Sequence, residues 1–467
     1  MKNGFAIVVD IGKTHGKVTL WSREGVCLDR RVRPNAPQRA DLPGGYAALD
    51  TAQVGRWLLE TLGHFADHPV EAIIPVAHGA AIAGIRDGTA AFIPPDYEWD
   101  LPVAALAAYR GQRDPFPFTG SPALPGGLKL GAQLHHLESA GLLAGTTLMP
   151  YPQYWAWLLS GEPVSEVSSL GCHTDLWSPE AGEFSPLARA RGWDRQFAPI
   201  ARAGEIIGTL RADLARATGL SPATRIHAGL HDSNAALLAV RGHPALAGHD
   251  ATALSTGTWF IAMRSPLARV DAGLLPEDRD CLVNVDVAGQ PLPSARFMGG
   301  REIELALRPG DGRVDLAADQ PALLGAVPAV LASGAMLCPT LAPGTGPFPA
   351  SRARWIGEPA DPDAHRAAIC LYAALVADAS LDLIGSGGRL LIEGRFAGAE
   401  VFTRALAALR PHTQVLTAKA HNDVSYGALR LICPELPFDG ELTRVKPLEG
   451  DLDDYRRTWR SCMEAPA

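Results

Sequence analysis

The sequence lacks the features that mark secreted, membrane-spanning or disulfide-rich proteins. Its 467 residues include only seven cysteines, which are scattered and form no CxxC pair. This argues against a disulfide framework and a structural zinc site, and it favours reduced thiols in a cytoplasmic protein. No apolar run is long enough to cross a bilayer, and Asp10 interrupts the first one before it reaches the length of a signal-peptide core. We therefore expect a cytoplasmic location and no membrane partner.

A strong excess of charge of one sign is also absent. The 42 lysines and arginines face 50 aspartates and glutamates, which gives a formal net charge of -8. This balance argues against non-specific binding of nucleic acid, and no basic helix-turn-helix segment is present. A hydrophobic content of 47% is that of a globular protein. The length predicts two domains or three.

The most informative stretch runs from Phe5 to Trp21, where an apolar strand pattern, a polar loop and a second strand pattern follow one another. The loop supplies backbone N–H groups, a hydroxyl group and a positive charge from Gly12, Thr14 and Lys17. Such a loop can hold a phosphate. Asp10 at its lip fits beside a phosphate only if a cation such as Mg²⁺ lies between the two negative groups. An ordinary hairpin turn, with Asp and Gly as turn formers, explains the stretch equally well when it is taken by itself.

Candidate ligand-binding residues follow a second predicted strand in the first half of the chain. The strand from Val70 to Val76 leads into His78 and Gly79, and a polar loop with Asp96 and Glu98 comes later. Open α/β sheets bind their ligands beyond strand ends, so these residues are candidates for contact with a small polar molecule. The alternatives are a structural histidine and an exposed loop that prolines stiffen.

A third segment, Ile226–Val240, predicts a short strand and then a helix with Asp232 in its first turn. The helix dipole favours an acidic residue there, which is a purely structural explanation. The functional alternative is a general base that takes a proton from an alcohol. Cys172 and His173 could suggest a nucleophile, but neighbours in sequence point apart and no activating partner is evident, so we do not expect catalysis by Cys172.

The second half of the chain repeats the opening arrangement. Between Ala253 and Met263, a strand, a turn with Thr256, Gly257 and Thr258, and a second strand follow one another. Two hairpins with Gly and Thr in their turns could bind a polyphosphate from both sides. They predict a duplicated domain with the ligand in the cleft between the two copies.

Taken together, these segments resemble the FGGY carbohydrate kinases, which belong to the actin-like, ribonuclease-H-like ATPase superfamily. The resemblance covers nearly the whole chain and is strongest at VDIGKTHGK, AHGAA, GLHDSNAA, STGTW, LLIEGRFAGAEVFTRALAAL and VSYGALRLI. It implies an α/β fold of two ribonuclease-H-like (actin-like ATPase) domains with a central cleft. Residues 1–245 would form the sugar-binding domain, and residues 246–467 would form the nucleotide-binding domain.

The resemblance also implies the substrates and the roles of the candidate residues. ATP and Mg²⁺ would be used, and the acceptor would be a polyol or a small ketose such as a ribulose, xylulose, fuculose or rhamnulose. Asp232 would deprotonate the sugar hydroxyl, with Asp10 and Asp232 beside the metal. ATP and phosphate contacts would come from Gly12, Thr14, Lys17, Thr256, Gly257, Thr258, Gly299, Gly300 and Gly394, and sugar contacts from His78, Gly79, Asp96, Glu98 and Asp232. One option for the assembly is a homodimer.

Three segments depart from the family's pattern. Gln153 stands where the family's Pro-Asp-Tyr segment has Asp, the adenine segment reads Glu393–Phe396, and Gly344–Gly346 replaces a Gly-Glu-Arg loop. These departures leave the phosphoryl-transfer residues intact and leave the choice of substrate open.

Other classes of protein also stay open at this point. One is an ATPase of the same fold that transfers no phosphate, and another is a sugar-binding regulator that has lost catalysis. Asp232, in a motif that matches the family's base, argues against both. A glycosidase with Asp10 and Asp232 as its carboxylate pair would leave both Thr/Gly turns unexplained.

Overall fold

The computed structural model describes residues 4–40, 45–124, 127–268, 270–418, 424–438 and 441–464. Its strands, numbered along the chain, are β1 (Phe5–Ile11), β2 (His15–Trp21), β3 (Cys27–Pro34), β4 (Pro37–Arg39), β5 (Ala47–Leu49), β6 (Val70–Ala77), β7 (Ile82–Arg86), β8 (Thr89–Ala90), β9 (Thr147–Pro150), β10 (Trp177–Ser178), β11 (Glu183–Phe184), β12 (Ile206–Thr209), β13 (Arg225–His227), β14 (Leu230–His231), β15 (Ala251–Thr256), β16 (Phe260–Ser265), β17 (Cys281–Val285), β18 (Pro291–Phe297), β19 (Met336–Cys338), β20 (Arg354–Ile356), β21 (Arg389–Gly394), β22 (Gln414–Ala418) and β23 (Leu442–Arg444).

The helices are numbered in the same way. They are α1 (Thr51–Gly63), α2 (Val103–Arg110), α3 (Phe116–Thr119), α4 (Leu130–Ser139), α5 (Tyr151–Ser160), α6 (Val167–Leu170), α7 (Pro186–Ala190), α8 (Ala212–Thr218), α9 (Asp232–Arg241), α10 (Gly299–Ala306), α11 (Gln320–Ser333), α12 (Pro362–Leu383), α13 (Glu400–Leu409), α14 (Val424–Ile432) and α15 (Leu452–Glu464). Within the described ranges, none of these helices has both the length and the apolar character that crossing a membrane requires.

The chain divides into two compact units, each assembled from segments that are far apart in sequence. Unit 1 comprises Met1–Gly242, Val283–Pro291 and Asp423–Phe438, and unit 2 comprises His243–Leu282, Leu292–Asn422 and Asp439–Ala467.

Unit 1 is built on a sheet in which β12, β13, β6, β1, β2 and β3 lie side by side, with β14 also paired to β6. The first three strands of the chain form an antiparallel meander, whereas β6 runs parallel to β1. Ala77 at the end of β6 lies opposite both Ile11 of β1 and His231 of β14. Three strands therefore end together, and the residues that follow them lie at one edge of the sheet. This edge carries the candidate site of unit 1.

Both faces of this sheet are covered, which explains why β1 is an almost continuous apolar run. Ile7 and Val9 pack with α1 and α5 on one face, and Ala6 and Val8 pack with α9 and α14 on the other. The second face requires a glycine at position 427 of α14, because a Cβ atom there would lie 1.8 Å from the carbonyl oxygen of Ala235 in α9. The helix that begins with Asp232 is thus held tightly against the sheet.

Unit 2 contains a second sheet in which β18, β16, β15, β21, β22 and β23 lie side by side. Strands β15, β16 and β18 are antiparallel to one another in turn, and β21 and β22 run parallel to β15. This order repeats the meander and parallel strands of unit 1. The repeat agrees with a ribonuclease-H-like domain that occurs twice, as the two predicted hairpins suggested.

Candidate active site

The hairpin of β1 and β2 contributes the first residues of the candidate site at the sheet edge of unit 1. Asp10 lies directly opposite Lys17 in the strand pair, and Lys17 Nζ is 3.0 Å from Asp10 Oδ2. The loop between them is held by Asn35, whose side-chain amide donates to the Gly12 carbonyl at 2.8 Å and whose N–H donates to the Thr14 carbonyl at 2.8 Å. The Thr14 side chain is exposed at the tip. Sequence reasoning missed Asn35, because an isolated asparagine in a predicted loop gives no signal of its contact with the hairpin.

Lys13 is a second residue of this loop that sequence reasoning missed. Its ammonium group forms an ion pair with the buried Asp96, lies 3.4 Å from Glu98 Oε2, and lies 5.1 Å from the centroid of the Tyr97 ring. The other Asp96 oxygen, Oδ1, accepts a 2.9 Å hydrogen bond from the backbone N–H of Glu98. Lys13 therefore ties the hairpin loop to the polar loop in which the sequence predicted sugar contacts.

His78 lies at the same edge, directly after β6. Its Nδ1 is 2.7 Å from the Gly79 carbonyl oxygen, and its ring packs 5.3 Å from Tyr97 and 5.0 Å from Tyr151, measured between ring centroids. Burial lowers the pKa of His78, opposed by this hydrogen bond and by the charge of Asp232. A neutral ring with its proton on Nδ1 leaves Nε2 as an acceptor for a hydroxyl group.

Asp232 is the first residue of α9, and one of its two carboxylate oxygens is fully engaged. Oδ1 accepts from the Ser233 N–H at 2.6 Å and from the Ser233 hydroxyl at 3.2 Å, and it lies 3.2 Å from His231 Nε2. Nothing in the described part of the chain hydrogen-bonds to Oδ2, and the side chain is 30% exposed. The charge of Asp232 also acts on the pKa of His78 and of Tyr97, although burial has the larger effect on both. The carboxylate is therefore fixed through one oxygen and open through the other.

Cys172 has a close partner in the structure that was not evident in the sequence. Its Sγ lies 3.6 Å from His231 Nε2, across 59 residues of sequence. Burial by itself raises the pKa of the Cys172 thiol, but the neighbouring histidines outweigh burial and lower it. Burial likewise lowers the pKa of His231, and the charges of Cys172 and Asp232 outweigh it and raise that pKa. The pair was invisible in the sequence because only the fold brings the two residues together.

Gln153, at the place where the sequence departs from the Pro-Asp-Tyr pattern, supports the turn that leads to Asp232. Its Nε2 donates to the carbonyl oxygens of Ala228 at 3.2 Å and Gly229 at 3.0 Å. Gly229 has a φ of +81°, and a Cβ atom there would lie 2.3 Å from the Pro75 carbonyl oxygen, so this turn requires glycine. The side chain at position 153 thus acts on the backbone beneath the site.

In unit 2, the turn between β15 and β16 holds the Thr256–Thr258 segment. The Thr256 side chain is buried, where its hydroxyl group donates to the carbonyl oxygen of Glu393 and accepts from the Phe396 N–H at 3.0 Å. The Thr258 side chain is exposed. Thr256 therefore joins its own hairpin to the turn after β21, and Thr258 with the backbone of Gly257 forms the open surface of the turn.

Glycines allow three backbone segments of unit 2 to meet at this turn. Gly299 and Gly300 begin α10, and a Cβ atom on Gly300 would lie 2.0 Å from the Gly257 carbonyl oxygen. Gly394 has a φ of +82°, and its Cβ atom would lie 2.4 Å from the Thr256 carbonyl oxygen. The structure thus brings together all six residues of unit 2 that the sequence assigned to phosphate and nucleotide. A helix N-terminus beside a glycine turn offers backbone N–H groups of the kind that bind phosphate.

Glu393, which directly precedes Gly394, is a buried carboxylic acid beside this cluster. It lies opposite Ser255 in the pairing of β15 with β21. Burial raises the pKa of Glu393 to about 7, and a hydrogen bond with Ser255 acts in the opposite direction. The carboxyl group therefore carries a proton in acidic solution and loses it near neutral pH.

The carboxylates do not form a ready-made metal centre in the described residues, because no three His, Cys, Asp or Glu side chains come together there. Mg²⁺ in phosphoryl-transfer sites needs only one or two protein carboxylates, since substrate phosphates and water supply the remaining ligands. Asp10, which is nearly buried and neutralised by Lys17, fits that limited role.

Comparisons with known proteins show similarity to carbohydrate kinases. A family model described as "Carbohydrate kinase FGGY, C-terminal domain" matches residues 248–439. L-fuculokinase of Escherichia coli (strain K12) is 26% identical over 341 residues, and the match spans 65% of this chain and 66%, just under two thirds, of that protein. The crystal structure of a carbohydrate kinase from Novosphingobium aromaticivorans is 57% identical and covers 99% of both chains with a TM-score of 0.95. A xylulose kinase structure from Rhodospirillum rubrum shares the fold, with a TM-score of 0.79, 18% identity and 98% coverage of both chains. The expected α/β fold of two ribonuclease-H-like domains is confirmed.

Proposed function

The chain belongs to the FGGY family of carbohydrate kinases, and from this we propose that it uses Asp232 to transfer the γ-phosphate of ATP to a hydroxyl group of a small sugar or polyol. The observation that carries the proposal is the state of the Asp232 carboxylate. Oδ1 is held by the start of α9 and by His231, while Oδ2 faces no partner in the described chain. A carboxylate fixed in this way can accept the proton of a hydroxyl group without first reorganising.

The sugar site that we propose lies at the edge of the sheet in residues 1–245. His78 supplies a neutral acceptor, Gly79 leaves room, and Asp96 and Glu98 accept from further hydroxyl groups. Lys13 compensates the charge of Asp96, so the loop presents hydrogen-bonding groups with less net charge than its two carboxylates suggest. An uncharged acceptor fits this balance, either a polyol or a ketose such as a ribulose, xylulose, fuculose or rhamnulose.

We place the nucleotide contacts in both halves of the chain, mostly in residues 246–467. In the first half, Gly12 and Thr14 supply polar groups of the hairpin loop, and Lys17 supplies a positive charge. In the second half, the assigned residues form one cluster around the β15–β16 turn, namely Thr256, Gly257, Thr258, Gly299, Gly300 and Gly394. Within this cluster, Thr256 acts by holding the turn, and the backbone N–H groups and Thr258 meet the phosphates.

Mg²⁺ completes the proposed site. Asp10, with Asp232 beside it in the same sheet edge, would hold the ion that ATP carries. When bound, the ion would offset negative charge that develops on the transferring phosphate. The protein's own contribution is to keep Asp10 nearly buried and paired with Lys17. The free thiols, five of them buried, agree with the reducing cytoplasm as the compartment.

The test of the proposal is Asp232→Asn, assayed with ATP and a panel of D-xylulose, D-ribulose, L-fuculose, L-rhamnulose and glycerol. Asn keeps the shape and caps a helix well, but it cannot take the proton. We expect kcat for the best panel substrate to fall by about 10²–10⁴-fold, with little change in the dissociation constant of that substrate.

A matched control is Asp213→Asn, which alters another acidic residue in the first turn of a helix, α8, at an exposed position. It changes the helix-dipole interaction without touching the site, so its kcat should stay near that of the parent. If Asp232→Asn binds both substrates and turns over within about threefold of the parent, the general-base role is wrong. A rate of ATP hydrolysis that does not change when any panel substrate is added would instead favour an ATPase of the same fold.

A further inference from the structure

We propose that Cys172 and His231 are positioning residues that aim Asp232 at the acceptor hydroxyl group, an inference that rests on the proposed general base. His231 Nε2 lies 3.2 Å from Asp232 Oδ1 and 3.6 Å from Cys172 Sγ. The ring thus bridges the carboxylate and a buried sulfur atom that no step of phosphoryl transfer uses. Cys172 holds the imidazole ring, and the ring holds one oxygen of the base.

The backbone of His231 is also anchored by the segment that carries Cys172. The His231 N–H donates to Ser168 Oγ at 3.3 Å. Ser168 is in turn fixed by the buried Glu166, which accepts from its N–H at 2.9 Å and from its hydroxyl at 2.6 Å. His231 is therefore held at two points. Ser168 of the short helix α6 binds its main chain, and Cys172 contacts its ring.

Gly79 shows how closely the ring is confined on the side of the proposed sugar site. A Cβ atom at position 79 would lie 2.8 Å from His231 Nε2 and 3.4 Å from Cys172 Sγ. Any larger residue would displace the ring, so glycine is required for the imidazole to reach Asp232. This contact gives Gly79 a role beyond leaving room for a ligand.

The arrangement explains why Oδ1 of Asp232 is held by the protein while Oδ2 stays open to the substrate. Both hydrogen bonds from Ser233 come from the residue next to Asp232, within the first turn of α9. The imidazole ring of His231, with Nε2 3.2 Å from Oδ1, adds a contact from β14, and this contact resists rotation of the carboxylate about its last bond. Displacement of a catalytic group by about 1 Å can cost about 10²-fold in rate, so a fixed Oδ1 keeps Oδ2 productive.

The test compares His231→Leu, which keeps an apolar side chain but no donor, with His231→Gln, whose amide can place an N–H near the position of Nε2. For the panel sugar with the highest turnover, we expect His231→Leu to lower kcat by about 10–100-fold, the range typical of lost orienting contacts, and to leave its KM within about threefold. His231→Gln should keep most of the kcat that His231→Leu loses. Cys172→Ala should lower kcat in the same direction by a smaller factor, and it serves as the second variant if His231→Leu does not fold.

Two further measurements separate positioning from a loss of stability. In the Asp232→Asn background, His231→Leu should cause no further fall in kcat, because the group that it aims is already lost. Cys433→Ala removes another buried thiol of unit 1, which has no contact with His231 in the described residues, and should leave kcat unchanged.

Two results would overturn the positioning role and leave the general base in place. One is a folded His231→Leu variant with the kcat of the parent. The other is a double variant with Asp232→Asn in which His231→Leu lowers kcat as much as it does in the parent. Parental turnover by Asp232→Asn would overturn both, so the two failures are distinguishable.

Discussion

The β1–β2 hairpin of unit 1 and the β15–β16 hairpin of unit 2 occupy the same place in sheets of the same order, yet they are held in different ways. The first is fixed by charges, with Lys17 3.0 Å from Asp10 and Lys13 paired with Asp96. The second contains no charged residue in its turn, and it is fixed by the buried hydroxyl group of Thr256 and by close backbone contacts.

The difference shows that a duplicated backbone does not require duplicated chemistry. In unit 1, side chains from separate loops meet at the hairpin, so its shape depends on the balance of charge. In unit 2, the absence of side chains at Gly300 and Gly394 lets the main chain approach the hairpin directly. Substitutions that remove a charge should therefore destabilise the first hairpin. Substitutions that add a Cβ atom at a glycine or remove the hydroxyl group of Thr256 should destabilise the second.

The largest effect is expected for Lys13→Met, which leaves the buried Asp96 carboxylate without its ion-pair partner. Breaking such a pair costs about 3–5 kcal/mol, and we expect about 3 kcal/mol because Lys13 keeps some contact with solvent. Urea unfolding of the parent and the variant measures the change. The double variant with Asp96→Asn should recover most of the loss. Arg457→Met, which removes an exposed pair with Asp454, should change stability by less than about 0.5 kcal/mol. A loss for Lys13→Met no larger than for Arg457→Met would contradict the charge-based account of unit 1.

An effect that approaches this size only at high pH is expected in unit 2 for Glu393→Gln. The pKa of Glu393 is about 7 in the folded protein against an ordinary value of 4.5. Between these values the folded protein keeps a proton that the unfolded chain has released, so stability falls as the pH rises from about 4.5 to about 7. Glutamine removes this dependence. The variant should match the parent near pH 4.5 and exceed it by up to about 3 kcal/mol at pH 8, measured by urea unfolding. Glu400→Gln, at an exposed position, is the control, and equal pH profiles for the parent and Glu393→Gln would refute the raised pKa.

The smallest effects distinguish the two threonines of the hairpins. Thr256→Ala leaves the buried N–H of Phe396 without its acceptor and should cost about 1–3 kcal/mol, whereas Thr256→Ser should retain most of the stability. Thr14→Ala, at an exposed tip, should change stability by less than about 0.5 kcal/mol. If Thr14 contacts ATP as proposed, its variant should raise the KM for ATP by about tenfold at normal stability. Equal melting temperatures for the two alanine variants would show that Thr256 does not hold the turn.

Regular elements with strong periodicity could be predicted well from the sequence. The apolar spacing between Leu49 and Phe65 predicts a helix with Asp50 as a possible cap. The structure has α1 in this stretch, and Asp50 accepts from the Gln53 N–H at 3.0 Å. The hairpins were also predictable, because an apolar run, a Gly/Thr turn and a second run specify local contacts. Asp232 at the start of a helix follows from the same local pattern.

Contacts between distant segments could not be predicted in this way. Lys13 reaches Asp96 across 83 residues, and Cys172 reaches His231 across 59. Neither pair belongs to a motif, so only the strand order brings its members together. The internal bonds of Thr256 were missed for a different reason, since a threonine in a polar turn suggests a ligand contact until its burial is known.

The contact between α9 and α14 has a consequence for the making of the protein. Gly427 packs on the backbone of Ala235, and Arg430 donates to the Leu238 carbonyl oxygen at 2.8 Å across 192 residues of sequence. A ribosome needs roughly 10–40 s to synthesise that interval. The helix that starts with Asp232 therefore emerges long before its partner exists, and nearly all of unit 2 is translated in between. The proposed base therefore gains the support of α14 only after most of unit 2 has been translated.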